Sequence, residues 1–331
     1  MDLKTRIDLL VELGDYILEN GTKWQAVKQR ASIENSWFIP EFVELATNSI
    51  AKEFLQKEKL ESWAQQYKIP SRQQQPKTVG IVMAGNIPLV GFHDFLSCFI
   101  SGHRQMIKLS SKDQVLLKHL SAKLIEWQPE VKEFVTFSEM LKGCDAYLAT
   151  GSNNSARYFD YYFGKYPNII RRNRTSVAVL SGKETDQQLE KLADDVYQYF
   201  GLGCRNVTKI YVPRDYDFPR LLNVFKKYNY LIYNNKYKNN YDYHLAILIL
   251  NKQYYMTNES ILLAENKSLF SPISQLHYEF YDEQPDLTPE DVKERLQCIV
   301  GRDGIEFGLA QQPGLWDYAD GADTLKFLLS L

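Results

Sequence analysis

Cys204 stands in the stretch Phe200-Gly-Leu-Gly-Cys204-Arg-Asn-Val-Thr-Lys-Ile-Tyr-Val-Pro213, a glycine-rich turn between a helix-like and a strand-like segment. A nucleophilic thiol needs such a setting. Glycines reach φ angles that other residues avoid, so backbone and substrate can come close, and the following amides can point at a developing negative charge. A buried, inert cysteine is the commoner case, so the turn alone leaves the role open. Asn86, in Gly85-Asn-Ile-Pro88, follows an apolar strand-like run. A side-chain amide there can donate to an oxyanion, worth about 10²–10³ in rate, although Asn beside Gly and Pro also makes Asx turns. Lys108, Ser110 and Ser111 close the next strand. A lysine and hydroxyls at that edge suit ribose and phosphate oxygens; the alternative is a solvated strand end with a helix cap. Thr150-Gly151-Ser152 is a strand-to-helix junction that could set helix amides against a pyrophosphate, without the full G-x-G-x-x-G pattern. Arg171-Arg172-Asn173-Arg174 could clamp phosphate or form a solvated loop.

The elements that must position these residues follow from periodicity. Helical spacing predicts a helix over 3–20, with Gly21 as its C-cap, and a second over about Pro40 to Lys59. The run Pro70-Ser-Arg-Gln-Gln-Gln-Pro76 reads as a linker. From Thr78 to Phe163, short apolar strands (Thr78–Met83, Gln105–Leu109, Phe134–Phe137, Ala146–Ala149) alternate with helices over Leu89–Ile100, Asp113–Glu126 and Ser152–Phe163. That alternation implies βαβ units and a parallel, doubly wound sheet, with ligands beyond the carboxyl ends of its strands. A second α/β unit is expected from Ser176–Leu180, with a helix over Asp186–Phe200 and strands at Thr208–Val212, Leu245–Leu250 and Ile261–Ala264. Thr288-Pro-Glu-Asp291 is expected to open a helix with Thr288 as its cap. The Tyr-, Asn- and Lys-rich residues 226–243 read as a polar surface excursion, or else as a shielding or oligomer contact.

Composition narrows the function classes. The 331 residues suit one large or two ordinary domains, and Lys+Arg of 39 against Asp+Glu of 41 leave no basic field for nucleic acid. The charged opening residues lack the apolar core of a signal peptide, and no run is long enough to span a bilayer. Four widely spaced cysteines suit neither a disulfide scaffold nor a zinc site. A cytoplasmic protein without a bound metal is expected.

The order of the pieces, Asn-x-Pro turn, Lys-x-Ser strand end, Thr-Gly-Ser before a helix and then a Gly-x-Gly-Cys turn, resembles the aldehyde dehydrogenase superfamily. The short chain, the Gly-Asn-Ile-Pro form and the segment Phe307-Gly-Leu-Ala-Gln-Gln-Pro-Gly-Leu-Trp-Asp-Tyr-Ala-Asp-Gly-Ala-Asp-Thr324 look more like its acyl-CoA reductase, LuxC-type, branch. The resemblance covers roughly Thr78 to the C-terminus. It implies an aldehyde-dehydrogenase-like α/β fold, with N-terminal helices and a cofactor-binding domain over 1–175, then a catalytic domain and C-terminal segment over 176–331. It further implies Cys204 as nucleophile, Asn86 with the Cys204 N–H as oxyanion hole, Lys108 at the adenosine ribose, and Gly151-Ser152 by the pyrophosphate, Ser110 and Ser111 joining the cofactor contacts.

Two departures from the superfamily pattern carry information. The hydrolytic enzymes' water-activating Glu has no counterpart in Ile169-Ile-Arg-Arg-Asn-Arg-Thr175, which contains no acid. An enzyme that starts from a thioester and ends at an aldehyde has no use for that water. The Glu-x-Phe-Gly-Pro motif corresponds best to Ser268-Leu-Phe-Ser-Pro272, which lacks its ribose-binding Glu. NAD-preferring relatives carry a Glu three residues after the lysine; here Ser111 and then Lys112 admit a 2′-phosphate, so NADPH is the expected cofactor. The expected reaction is reduction of a fatty acyl-CoA or related acyl thioester, such as an acyl-carrier substrate, by a homo-oligomer that could take its acyl group from a synthetase partner. The alternatives are a non-hydrolytic aldehyde dehydrogenase that makes acyl-CoA, and a degenerate scaffold that binds a nucleotide or partner without turnover. Among the scattered histidines, His244, placed before an expected strand, is the one candidate proton donor.

Overall fold

The computed structural model describes residues 1–283, 285–302 and 304–331. They divide into two compact units, Met1–Asn173 with Pro313–Leu331, and Arg174–Gln312. The last nineteen residues, expected to stay with the second unit, instead belong to the first. Their apolar residues Leu315, Tyr318, Leu325 and Leu328 are buried in its core, and the Trp63 indole N–H donates to the Tyr318 hydroxyl at 3.0 Å.

The first unit opens with four helices, α1 (Leu3–Glu19), α2 (Thr22–Glu34), α3 (Pro40–Glu53) and α4 (Lys57–Gln66). Asp2 caps α1 by accepting the Thr5 N–H at 2.9 Å. The left-handed residue ending α1 is Asn20 (φ 51°) rather than Gly21, which precedes α2. Asn tolerates that conformation through its short polar side chain. The sequence pattern misses α2 because only Trp24, Lys28 and Ala31 of it are buried, a narrow stripe in a polar helix. The single helix expected over Pro40–Lys59 breaks at Phe54–Gln56. Leu55 turns inward there against Gly14 of α1, where a Cβ would lie 2.9 Å from the Leu55 Cβ.

After the irregular residues 69–77 the chain alternates strand and helix: β1 (Thr78–Val82), α5 (Phe92–Ser101), β2 (Arg104–Lys108), α6 (Val115–Trp127), β3 (Val135–Phe137), β4 (Ala146–Thr150), α7 (Asn153–Phe163) and β5 (Asn168–Arg171). All neighbours in the order β3-β2-β1-β4-β5 pair in parallel. β1 and β4 carry apolar runs buried on both faces, as parallel strands require. The fifth strand is hidden in the sequence because its four residues already end in charged Arg171, with Arg172 directly after. Chain progression reverses between β1 and β4. This makes a topological switch point, the crevice where open sheets bind ligands.

The second unit holds a sheet in the order β11-β6-β7-β10-β9-β8. Its elements are β6 (Thr175–Val179), α8 (Asp186–Tyr197), β7 (Val207–Pro213), α9 (Phe218–Val224), α10 (Asn235–Leu250), β8 (Met256–Thr257), β9 (Leu262–Glu265), β10 (Gln275–Tyr281), α11 (Glu290–Lys293) and β11 (Leu296–Gly301). All pairings are parallel except the short edge strand β8 on β9. Leu245–Leu250, expected as a strand, forms the last turns of α10. A short apolar run does not separate strand from helix by periodicity alone. The preceding Tyr-rich stretch is helical as well, and Tyr228, Tyr237 and Tyr241 are buried. Thr288 does not cap a helix: its hydroxyl donates to Asp286 at 2.6 Å, and α11 starts at Glu290 behind Pro289. Among the described residues no helix is long and apolar enough to cross a membrane, and no three His, Cys, Asp or Glu side chains are grouped to hold a metal.

Candidate active site

In the first unit the expected cofactor residues converge at the switch point. Asn86, partly buried, lies in the loop leaving β1; Lys108 ends β2 opposite Val82 of β1; and Gly151-Ser152 leave β4. Ser110 packs so closely on Gly85 that a Cβ there would lie 2.7 Å from both its Cβ and Oγ. Glycine is therefore required beside Asn86. Ser152 caps α7, its Oγ accepting the Ser155 N–H at 3.2 Å. Gly151 is pressed against α7, where a Cβ would meet Phe159 and Ser155 at 2.9 Å. Lys108, Ser111 and Lys112 are exposed. A glycine junction, a capped helix N-terminus, hydroxyls and an exposed lysine fit the phosphates and ribose of a dinucleotide.

The Asn86 loop is pinned by Asp113, a residue that no sequence motif singles out. Leu89 has φ 54° and donates its N–H to Asp113 Oδ2 at 2.7 Å. Burial pushes the Asp113 carboxyl up to about 6, against the pull of that N–H.

In the second unit Cys204 lies at the amino end of β7, half-buried. The helix before it ends in three successive left-handed residues, Tyr199 (φ 55°), Phe200 (φ 57°) and Gly201 (φ 73°). Each non-glycine residue there costs on the order of 1–2 kcal/mol. Tyr199 and Phe200 are both buried, so packing holds the strain in place. Asn206 fastens the turn. Its side-chain oxygen accepts the Gly203 N–H at 2.8 Å, and its amide donates to the carbonyls of Asp195 (3.1 Å) and Gln198 (2.8 Å). The Ser176 hydroxyl donates to the Cys204 carbonyl at 3.1 Å, accepts the Cys298 N–H at 3.2 Å and lies 3.0 Å from the Cys298 thiol. A second sulfur therefore neighbours the cysteine turn, on β11.

Asp195 ties the turn to the 307–311 segment. Its two oxygens accept the N–H groups of Gly308 (2.7 Å) and Ala310 (3.0 Å), and the Arg205 guanidinium donates to the Ala310 carbonyl at 3.4 Å. Burial pushes the Asp195 carboxyl up to about 7, although both N–H groups pull it down. A raised carboxyl binds more protons folded than unfolded. Its favourable contribution is therefore complete below its ordinary value and declines as pH rises through about 7. Asp195→Asn removes the titration, so between pH 5 and 7 the urea stability of wild type should fall by roughly 2–3 kcal/mol relative to the variant. A difference independent of pH would contradict this.

Segment 268–272 also reaches the turn: Ser271 and Pro272 line, with Gly201 and Thr208, a cavity of about 20 Å³. The arginine run forms no phosphate clamp at its first member. Arg171 is buried on Asp94 in a bidentate pair (2.5 and 2.9 Å) and donates to the hydroxyls of Thr324 (2.7 Å) and Thr150 (3.3 Å). Arg172 pairs with Asp160, and Arg174 donates to the carbonyls of Lys293 and Leu296. His244 is half-buried within α10, packed edge-on to Tyr243, rather than ahead of a strand.

Residues 41–218, which include Asn86, Lys108, Ser152 and Cys204, match the family model described as acyl-CoA reductase (LuxC). No curated protein matches the chain. Among solved structures, the NAD-dependent aldehyde dehydrogenase from Sinorhizobium meliloti superposes with a TM-score of 0.67 at 11% identity, covering 94% of this chain and 72% of that one. The aldehyde dehydrogenase KauB from Pseudomonas aeruginosa gives 0.66 at 12% identity, with 91% and 72% covered. An NADP-dependent enzyme of E. coli gives 0.67 at 13%, with 92% and 74% covered. At such identities the likeness is one of fold, and the fold is that of aldehyde dehydrogenases.

Proposed function

This chain belongs to the acyl-CoA reductase (LuxC) family, and from that premise we propose that it reduces a fatty acyl-CoA, or a related acyl thioester, to the aldehyde with NADPH through a Cys204 acyl-enzyme. The observation that carries the reading is the cysteine turn: a half-buried thiol, preceded by strained left-handed residues and fastened by Asn206, inside the family-matched segment. The Cys204 thiolate attacks the thioester carbonyl carbon, the carbon–sulfur bond to CoA breaks, and CoA leaves as a thiolate. A bound nicotinamide would supply the hydride that the acyl carbon needs, and the oxyanion left on that carbon would expel the Cys204 thiolate as the aldehyde forms. No general base for water stands in 169–175, so the acyl group is spared hydrolysis. Lys108, Ser110, Ser111, Gly151 and Ser152 would hold the dinucleotide, and Asn86 would donate to the oxyanion.

Incubation with a labelled acyl-CoA, followed by intact mass, should show one acyl group per chain. NADPH should then discharge it as aldehyde. A chain that acquires no acyl group from any of a panel of acyl-CoA and acyl-carrier donors would refute the reading. Asn86→Ala should keep the fold and lose roughly two to three decades in kcat. Since Ser111 and Lys112 place no acid near a 2′-phosphate, NADPH should bind more tightly than NADH in a fluorescence titration. Equal or tighter NADH binding would reverse the cofactor assignment.

A further inference from the structure

Helix α10 buries one face, and its outer side, polar through Asn235, Lys236, Lys238, Asn239 and Asp242, turns apolar over its last two turns. Tyr237, Tyr241 and Leu248 face inward, where Tyr241 and Leu248 pack on Leu262 and Ala264 of β9. The opposite face runs Lys236, Tyr243, Ile247, Leu250, spaced i, i+7, i+11, i+14, which places all four on one side. All four are exposed, Leu250 at 77%, and Tyr254 just beyond the helix is 71% exposed. Such a concentration of exposed aliphatic and aromatic side chains marks a surface that meets something other than water.

Charge says what. From Lys226 to Tyr255 the sequence carries five lysines against one acid, Asp242, a local balance of +4 in a chain of net charge −2. Lys238 is held by Asp242 and Lys227 by Asp194. Lys226, Lys236 and Lys252 are exposed, and Lys252 follows directly on the end of the helix. A second copy of the chain meeting this face symmetrically would set lysines against lysines. An occupant with negative charge over an apolar interior satisfies both features. Tyrosines prefer the headgroup level of a bilayer, aliphatic tips reach the acyl boundary, and lysines attract anionic headgroups.

We propose that the apolar outer side of the last two turns of α10, with Tyr254 and the lysines around it, binds the chain reversibly to an anionic lipid surface. The assignment stands whether or not the reaction above is correct, because it rests on exposure and charge in this one helix. The test is cosedimentation of the full-length chain with vesicles, without substrate or cofactor. Vesicles of phosphatidylcholine mixed with phosphatidylglycerol should bind it at least about tenfold more tightly than phosphatidylcholine alone, and added salt should weaken the binding. The double variant Ile247→Ser with Leu250→Ser should lose about tenfold or more, and Lys236→Glu with Lys252→Glu should abolish the preference for anionic vesicles. Both pairs are at the surface, so an unchanged thermal midpoint keeps the comparison valid. Failure of wild type to bind the anionic vesicles at low salt, or equal binding by both variants, overturns the proposal. So would a fall in the sedimentation coefficient of the vesicle-free protein in the serine variant, which would give the face to a second copy.

Discussion

Cys204→Ala is expected to fold with an unchanged thermal midpoint, to acquire no acyl group from acyl-CoA, and to lose roughly four or more orders of magnitude in NADPH-dependent turnover. Loss of the nucleophile in enzymes that work through an acyl intermediate has that scale, because binding and electrostatic stabilisation survive while the covalent step does not. The fold should survive because Asn206, Ser176 and Asp195 hold the turn and its neighbouring segment. The neighbouring sulfur supplies a control. The Cys298 thiol lies 3.0 Å from the Ser176 hydroxyl, and Cys298→Ala should retain the adduct on Cys204. An adduct that persists in Cys204→Ala and vanishes in Cys298→Ala would move the nucleophile to β11.

The second large effect is on stability. Asp94 and Arg171 are both buried, at 5% and 3% exposure, and joined through two hydrogen bonds. Removing one member strands a charge that water cannot reach, so Asp94→Ala should cost about 3–5 kcal/mol in urea unfolding of the first unit. The pair also holds the helix Thr324–Leu329, through the Thr324 hydroxyl, against the end of β5. Early exposure of that helix to protease should accompany the loss. Replacing both members by apolar residues of similar volume should cost much less than either single change. A single-variant cost below about 1 kcal/mol would show that the charge is solvated on mutation.

Much of this architecture is legible in the linear chain. The central strands β1 and β4 are buried on both faces, so they appear as apolar runs, and the helices between the strands keep their 3.6-residue stripe. The short chain segments that carry Asn86, Lys108, Gly151 and Cys204 are readable for a related reason. Asn86, Gly151 and Cys204 sit in turns with glycine or proline beside them, and Lys108 closes a short strand with an apolar centre; local needs are written locally. The break between α3 and α4 is different, because it depends on Leu55 meeting Gly14 forty-one positions earlier. The last turns of α10 are different again: Leu245–Leu250 suits strand or helix equally, and packing of Leu248 on β9 settles the matter.

The order of turn chemistries, the absence of an acid in 169–175 and the charge balance are properties of the amino-acid sequence itself. They are enough to indicate an aldehyde-dehydrogenase-like α/β protein with a thioester-reducing site. The supports of that site are another matter. Asp113 serves Leu89 across 24 positions, Asp94 meets Arg171 across 77, and Asp195 accepts N–H groups 113 and 115 positions away. A carboxylate in a sequence looks the same whether it is solvated or buried. Folding distinguishes the two, because desolvation raises its free energy until a distant donor is brought within reach.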